Sequence, residues 1–147
     1  VLQILERLPD IEIFENVSVE IVEDSELPSN VHALLEFTGA YIVKIKKSVY
    51  EGATRGKGRD RMTIAHEIAH FFLVMLYGVT FPQTKGKKSV KTFENPEWQA
   101  KCLAGEIMIN KDLVSDFTVE EVMRQCGVSK DAAVYQLKIF HGSRTKF

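Results

Sequence analysis

The chain opens on leucines three apart, Leu2, Leu5 and Leu8, a helical spacing that Pro9-Asp10 stops. Apolar and polar residues then alternate over 11–14 and again over 17–22, as they do in half-buried strands. A turn-rich stretch with Pro28 leads to a predicted hairpin of 31–37 and 41–45 around Thr38-Gly39-Ala40. Val43 and Ile45 alternate with Lys44 and Lys46, so one side of that strand is expected to meet water. Arg59, Asp60 and Arg61 open a long helix, which runs to about Tyr77 before Gly78 ends it. Phe71 to Leu76 contain no polar residue, so this helix is expected to be buried on most sides. Asn95-Pro96-Glu97 starts the next helix, with Asn as N-cap and Pro at the first helical position, and it is expected to run to about Ile109. Thr118-Val119-Glu120-Glu121 has capping-box spacing and opens a helix that Gly127 closes. Ser129 caps a last one, through about Phe140.

This order of elements predicts an α+β fold: a small mixed or antiparallel sheet packed on the long helix, followed by a helical C-terminal part. The expected boundaries are 1–115 for the first unit and 116–147 for the helical extension, or one continuous domain. A length of 147 residues suffices for one domain with a core of its own. With 45% apolar and 27% charged residues and a net charge of -1, the chain demands neither nucleic acid nor an anionic membrane. Its longest apolar run is too short to span a bilayer. Cys102 and Cys126 form no metal-binding pair, and a reduced, cytoplasmic compartment is the expectation, with one disulfide as the alternative.

The long helix carries His66-Glu67-x-x-His70. Positions four apart share a helix face, so both imidazoles can bind one metal ion while Glu67, one step round, holds a water on it. Zinc suits two neutral nitrogens and a carboxylate, with manganese a second option. Glu67 is then the candidate catalytic base. The competing reading is two ordinary histidines on a core helix. Against it, a buried helix rarely carries two histidines and a glutamate unless they are paired or metal-bound.

A catalytic zinc takes three protein ligands plus water. Leu73 and Leu76 stand where a metzincin continuation needs glycine and histidine, so the third ligand comes from elsewhere. Asp60, Glu94, Glu97, Glu106, Asp112 and His141 are candidates. Glu97 is preferred. It opens a helix whose Ala100 and Ala104 recur on its own face, and these small residues let that helix approach Ala65 and Ala69. Taken alone, Glu97 is equally an acid favoured by the helix dipole. Glu106 lies half a turn away and is a surface or supporting residue in this reading.

Two basic stretches complete the inventory. Tyr50 to Asp60, with Gly52, Gly56 and Gly58, reads as a flexible basic loop and lacks the spacing of a phosphate loop. Thr80 to Glu94, with Lys85, Lys87, Lys88 and Lys91, reads as a solvated loop, or as a flap over the metal site.

Arg61-Met62-Thr63-Ile64-Ala65-His66-Glu67-Ile68-Ala69-His70, followed by Glu97-Trp98-Gln99-Ala100 and Leu103-Ala104-Gly105-Glu106-Ile107-Met108, resembles the ImmA/IrrE family of metallopeptidases. The resemblance covers roughly residues 31–140. It implies a zincin-like fold with His66, His70 and Glu97 as metal ligands and Glu67 as catalytic base. It also implies a cytosolic zinc endopeptidase whose protein substrate is a transcriptional repressor encoded nearby. Ala69, Met62, Lys101, Leu103 and Asn110 depart from the family pattern, and none is a proposed ligand. Tyr41, Tyr50, Tyr77, His32, Tyr135 and His141 are open candidates for a second oxyanion donor. The alternative functions are a metal-binding toxin–antitoxin or regulator-binding partner without proteolysis, and a DNA-binding helix-turn-helix at 118–140. DNA readout would want Arg, Asn or Gln where Lys130, Asp131 and two alanines stand, so nucleic acid is not the expected partner.

Overall fold

The structure, a computed structural model, describes residues 1–12, 14, 16–78 and 94–142. Helix α1, Leu2–Arg7, buries Leu5 and passes into a 3-10 turn, Leu8–Asp10, where Pro9 ends the helical ladder. The expected strand over 11–14 is absent at its described positions. The Phe14 N–H returns to the Ile11 carbonyl at 2.8 Å, which is a turn. That turn sets the Phe14 ring against Phe71 and Phe72, with centroids 5.0 and 5.7 Å apart. Ile13 lies outside the described residues.

Strands β1, Val17–Val22, β2, Ala33–Phe37, and β3, Tyr41–Lys46, form a mixed sheet in the order β1-β3-β2. β2 and β3 make the expected hairpin, with Leu35 opposite Val43. β1 runs parallel to β3, with Val19 opposite Val43. β3 is therefore the central strand, and the expectation that its lysine side is fully wet needs correcting. Lys46 is buried, and its amine donates to the Pro28 carbonyl at 2.7 Å, while Lys44 pairs with Glu36. A buried ammonium is tolerable only with such partners.

The basic stretch 50–60 is not a flexible loop. Lys47–Thr54 is helix α2, and α3 follows at once, Gly58–Tyr77. Gly52 is there for proximity: a Cβ on it would collide with the Asp60 carboxylate of α3. Ile64, Ile68 and Phe71 of α3 pack with Val43 and Ile45 of the sheet and with Leu5, Leu8 and Val49, forming the main core. Gly78, at φ +63°, closes α3 by donating to the Leu73 and Val74 carbonyls, as its position predicts.

Helix α4, Pro96–Met108, lies along α3. A short helix α5, Lys111–Val114, follows, capped by Asn110. Helices α6, Val119–Cys126, and α7, Lys130–Gly142, meet through Gly127 at φ +63°. They share a second core with Ile109 and Val114, against which Met62 and Met108 also pack. The seating on α3 is close. A Cβ on Gly58 would fall 2.7 Å from the backbone of Val128 and Ser129, and one on Gly127 would meet the Arg61 guanidinium. Both cysteines are free thiols. Among the described residues no helix is long and apolar enough to cross a membrane.

Candidate metal centre

Four alanines create the site. Ala65 and Ala69 of α3 meet Ala100 and Ala104 of α4 with essentially no exposed surface. With only methyl groups between them, the two backbones come close, and the longer side chains on either side of the seam meet at its rim. On α3 these are His66 and His70, one turn apart. On α4 it is Glu97, whose place is fixed by the cap: Asn95 Oδ1 accepts from the Glu97 N–H at 2.9 Å and from the Trp98 N–H at 3.4 Å.

The three heads converge. The His66 and His70 Nε2 atoms are 2.9 Å apart. Glu97 reaches each of them at 3.3 Å, one carboxylate oxygen per ring. Among the described residues this is the group of three metal-capable side chains that comes together. An ion bound tetrahedrally at 2.0–2.1 Å from nitrogen and oxygen would hold its ligand atoms about 3.3 Å apart. The two 3.3 Å contacts are made by different Glu97 oxygens, and one ligand atom from each of the three residues lies within 4.8 Å of the others, close enough for one ion after small side-chain adjustments. Two imidazole nitrogens and a carboxylate are also the donor types of a catalytic zinc site. The residues fit a divalent metal.

Electrostatics favours the metal-binding forms. Burial lowers the His66 pKa, an effect that Glu97 opposes. Burial and the neighbouring His66 ring lower that of His70. Both imidazoles are therefore held neutral, with a lone pair to give. Glu67 moves the other way. Burial, and then repulsion from Glu97, push its carboxyl up to about 7, against a hydrogen bond from the Leu35 backbone that favours the ionised form. A carboxyl near 7 is poised both to take and to return a proton.

That Leu35 contact identifies a feature the sequence reading missed. Lys46 donates to the His32 carbonyl and Thr38 to that of Ala40, so even-numbered residues of the hairpin's first arm face β3. In an antiparallel ladder the odd ones, Ala33, Leu35 and Phe37, then turn their N–H and C=O groups to the open edge. A cleft of about 280 Å³ runs between that edge and the histidines, lined by Ala33, Leu34, Leu35, Glu67 and the three metal-capable residues. The hairpin arm at 31–37 was visible in the sequence, but which of its edges would stay open was not.

The other ligand candidates lie elsewhere. Asp60 packs on Gly52 of α2. Glu106 accepts from Gln136 at 3.3 Å, a supporting contact away from the metal-capable group. His141 lines a separate hollow with Lys111 and Phe140. Of the oxyanion candidates, Tyr50 donates to Glu6 at 3.0 Å, His32 lies 3.5 Å from Arg59, and Tyr41 packs between Phe37 and Phe71. Tyr77 follows His66 by three helical turns. Tyr135 alone of these lines a cavity together with His66. The lysine-rich stretch read as a loop or flap falls almost wholly outside the described residues. Compared with models of known protein families, with curated proteins and with solved structures, the chain gave no match.

Proposed function

We propose that this protein is a zinc-dependent endopeptidase of the ImmA/IrrE kind, with a zincin-like fold, that cleaves a transcriptional repressor in the cytoplasm. The observation that carries the reading is the meeting of His66, His70 and Glu97 from two helices, with the raised carboxyl of Glu67 beside them. The three residues would hold zinc, or manganese in its place. A bound ion of this kind lowers the pKa of a water to roughly 7 and polarises a carbonyl.

The chain's own groups supply the rest. The open edge of β2 offers N–H and C=O groups to an extended peptide, which would add as a further strand across the cleft. That pairing accepts any sequence through its backbone and positions one peptide bond against the histidine rim. Glu67, on the same side as Leu35, takes the proton of the attacking water and delivers it to the departing amine nitrogen. The Leu35 backbone favours the carboxylate form of Glu67, so the N–H groups left for the peptide are those of Ala33 and Phe37. His66 and His70, kept neutral by burial, each have one ring nitrogen with a lone pair to offer a metal.

The purified protein is expected to hold about one zinc or manganese per chain, and to lose it in His66→Ala and Glu97→Ala. Glu67→Gln is expected to keep the metal and lose roughly 10²- to 10⁴-fold in turnover on its repressor substrate. The checks are metal analysis by mass spectrometry and peptide-release kinetics. Cleavage that survives Glu67→Gln at the wild-type rate would overturn Glu67 as the base, and metal-loaded wild type that cleaves nothing would reject the peptidase reading and leave a metal-binding partner module.

A further inference from the structure

A second cavity of about 250 Å³ lies between α3, α4 and α7. His66 lines both it and the cleft, so the two hollows are neighbours. We propose that this cavity receives a large apolar side chain of the substrate, next to the bond that is cut, and that α7 is thereby a specificity element. The proposal rests on the peptidase reading above.

The size is right for one side chain: pockets for whole drug-sized ligands run to roughly 300–1,000 Å³. The walls are right too. Met62, Ala104, Ile109 and Ala132 present carbon, with Ala104 and Ile109 almost fully buried. Ala104, Gly105 and Ala132 help keep the hollow open, and a Cβ on Gly105 would displace the end of the Gln136 side chain, 2.5 Å away. Gln136 is itself buried, and its amide is engaged by Glu106. The amide nitrogen is thus taken up outside the hollow, and the lining holds no carboxylate to pair with a basic occupant.

The mouth sharpens the preference. Lys101 and Tyr135 stand there, and Lys101 has no carboxylate partner within 4 Å among the described residues. Its ammonium adds to the positive field at His66. A lysine or arginine side chain would have to pass that charge to enter an apolar hollow, losing hydration without gaining a partner. The occupant is therefore of the leucine, methionine or phenylalanine class, and basic side chains are refused. The same geometry accounts for the first turn of α7. Ala132 lines the cavity and Ala133 is fully buried, so this helix is used for packing and lining at the positions where a DNA reader would expose polar side chains.

Zinc-loaded protein is titrated calorimetrically with three hydroxamates: acetohydroxamate, one carrying an isobutyl group and one carrying an aminobutyl group. The isobutyl compound is expected to bind about ten-fold or more tighter than acetohydroxamate, and the aminobutyl compound to gain nothing. In Ala132→Trp, which fills the hollow, the isobutyl advantage should fall below about two-fold, with zinc content and circular dichroism verifying the fold. In Met62→Ala, which widens the hollow, preference should move towards a phenylethyl hydroxamate. Equal binding of acetohydroxamate and the isobutyl compound by the wild type would overturn the proposal and leave the metal site standing. So would an isobutyl preference that Ala132→Trp leaves intact. If no hydroxamate binds, the metal-centred reading fails, and this one with it.

Discussion

The helix pairs α3–α4 and α6–α7 are both buried seams, the first closed by alanines alone, and among the described residues it is at the first that three metal-capable side chains meet. In α3–α4 the seam is Ala65, Ala69, Ala100 and Ala104, and two histidines and a glutamate meet beside it. In α6–α7 the pair is joined at Gly127 and sealed by Val122, Val128, Ala133 and Leu137, with Gln136 its one buried polar side chain. The first seam brings three polar heads together at its rim. The second is sealed by larger apolar side chains, and its α7 also walls a cavity. Packing and chemistry are thus separable here, and substitutions of equal size in the two seams should have unequal consequences.

The strongest form of that contrast is overpacking. Ala100 and Ala133 are both fully buried. Leucine at either position should cost about 1–3 kcal/mol of stability, seen as a lowered urea midpoint. Ala100→Leu should also push α4 off α3, withdraw Glu97 from the rings and abolish stoichiometric zinc. Ala133→Leu should keep its zinc. Full metal occupancy in Ala100→Leu would show that the alanine seam does not set the position of Glu97.

A gentler version uses the two N-caps. Asn95 accepts from the Glu97 N–H at 2.9 Å, and Thr118 accepts from the Glu121 N–H at 3.3 Å while Glu121 accepts from the Thr118 N–H at 2.8 Å. Alanine at either site removes a cap and should cost about 1 kcal/mol. Only Asn95→Ala loosens the turn that carries the carboxylate. Its zinc affinity should fall, measured by competition with a chelating dye, while Thr118→Ala holds the wild-type value. Equal affinities in the two variants would mean that Glu97 is positioned by its side-chain contacts alone.

What could be read from the chain follows the same division. The ends of α3, α4, α6 and α7 were legible because caps are local: Gly78, Asn95-Pro96, the Thr118–Glu121 box and Gly127 each act within a few residues. The meeting of Glu97 with the histidines was legible because alanines on matching faces imply close approach. What stayed hidden depends on residues far apart in sequence. Gly52 looks like a loop residue until Asp60 is seen against it, so α2 was missed. Lys46 looks wet until the Pro28 carbonyl reaches it, and the strand at 11–14 is lost to a turn that feeds Phe14 into the core. The parallel pairing of β1 with β3, which leaves β2 at an edge, has no local signature.

The smallest effect concerns the metal-free protein and its pH dependence. Glu67, raised from 4.5 to about 7, favours the fold below pH 4.5, and that contribution is lost as pH rises through about 7. His66 and His70, lowered from 6.5, favour the fold above pH 6.5, and theirs is lost as pH falls. Between about pH 4.5 and 6.5 the two slopes oppose each other, so wild-type stability in chelator should change little. Glu67→Gln removes one side of the balance. Its stability should climb with pH across that window more steeply than the wild type's, by up to about 1.4 kcal/mol per pH unit. Urea unfolding at pH 4.5, 5.5 and 6.5 measures the difference. In Thr118→Ala, where none of the three groups is touched, the profile should keep the wild-type shape over the same range. Parallel profiles for wild type and Glu67→Gln would place the Glu67 carboxyl in a more open setting than the cleft gives it, and the contrast between the two seams would then be one of geometry alone.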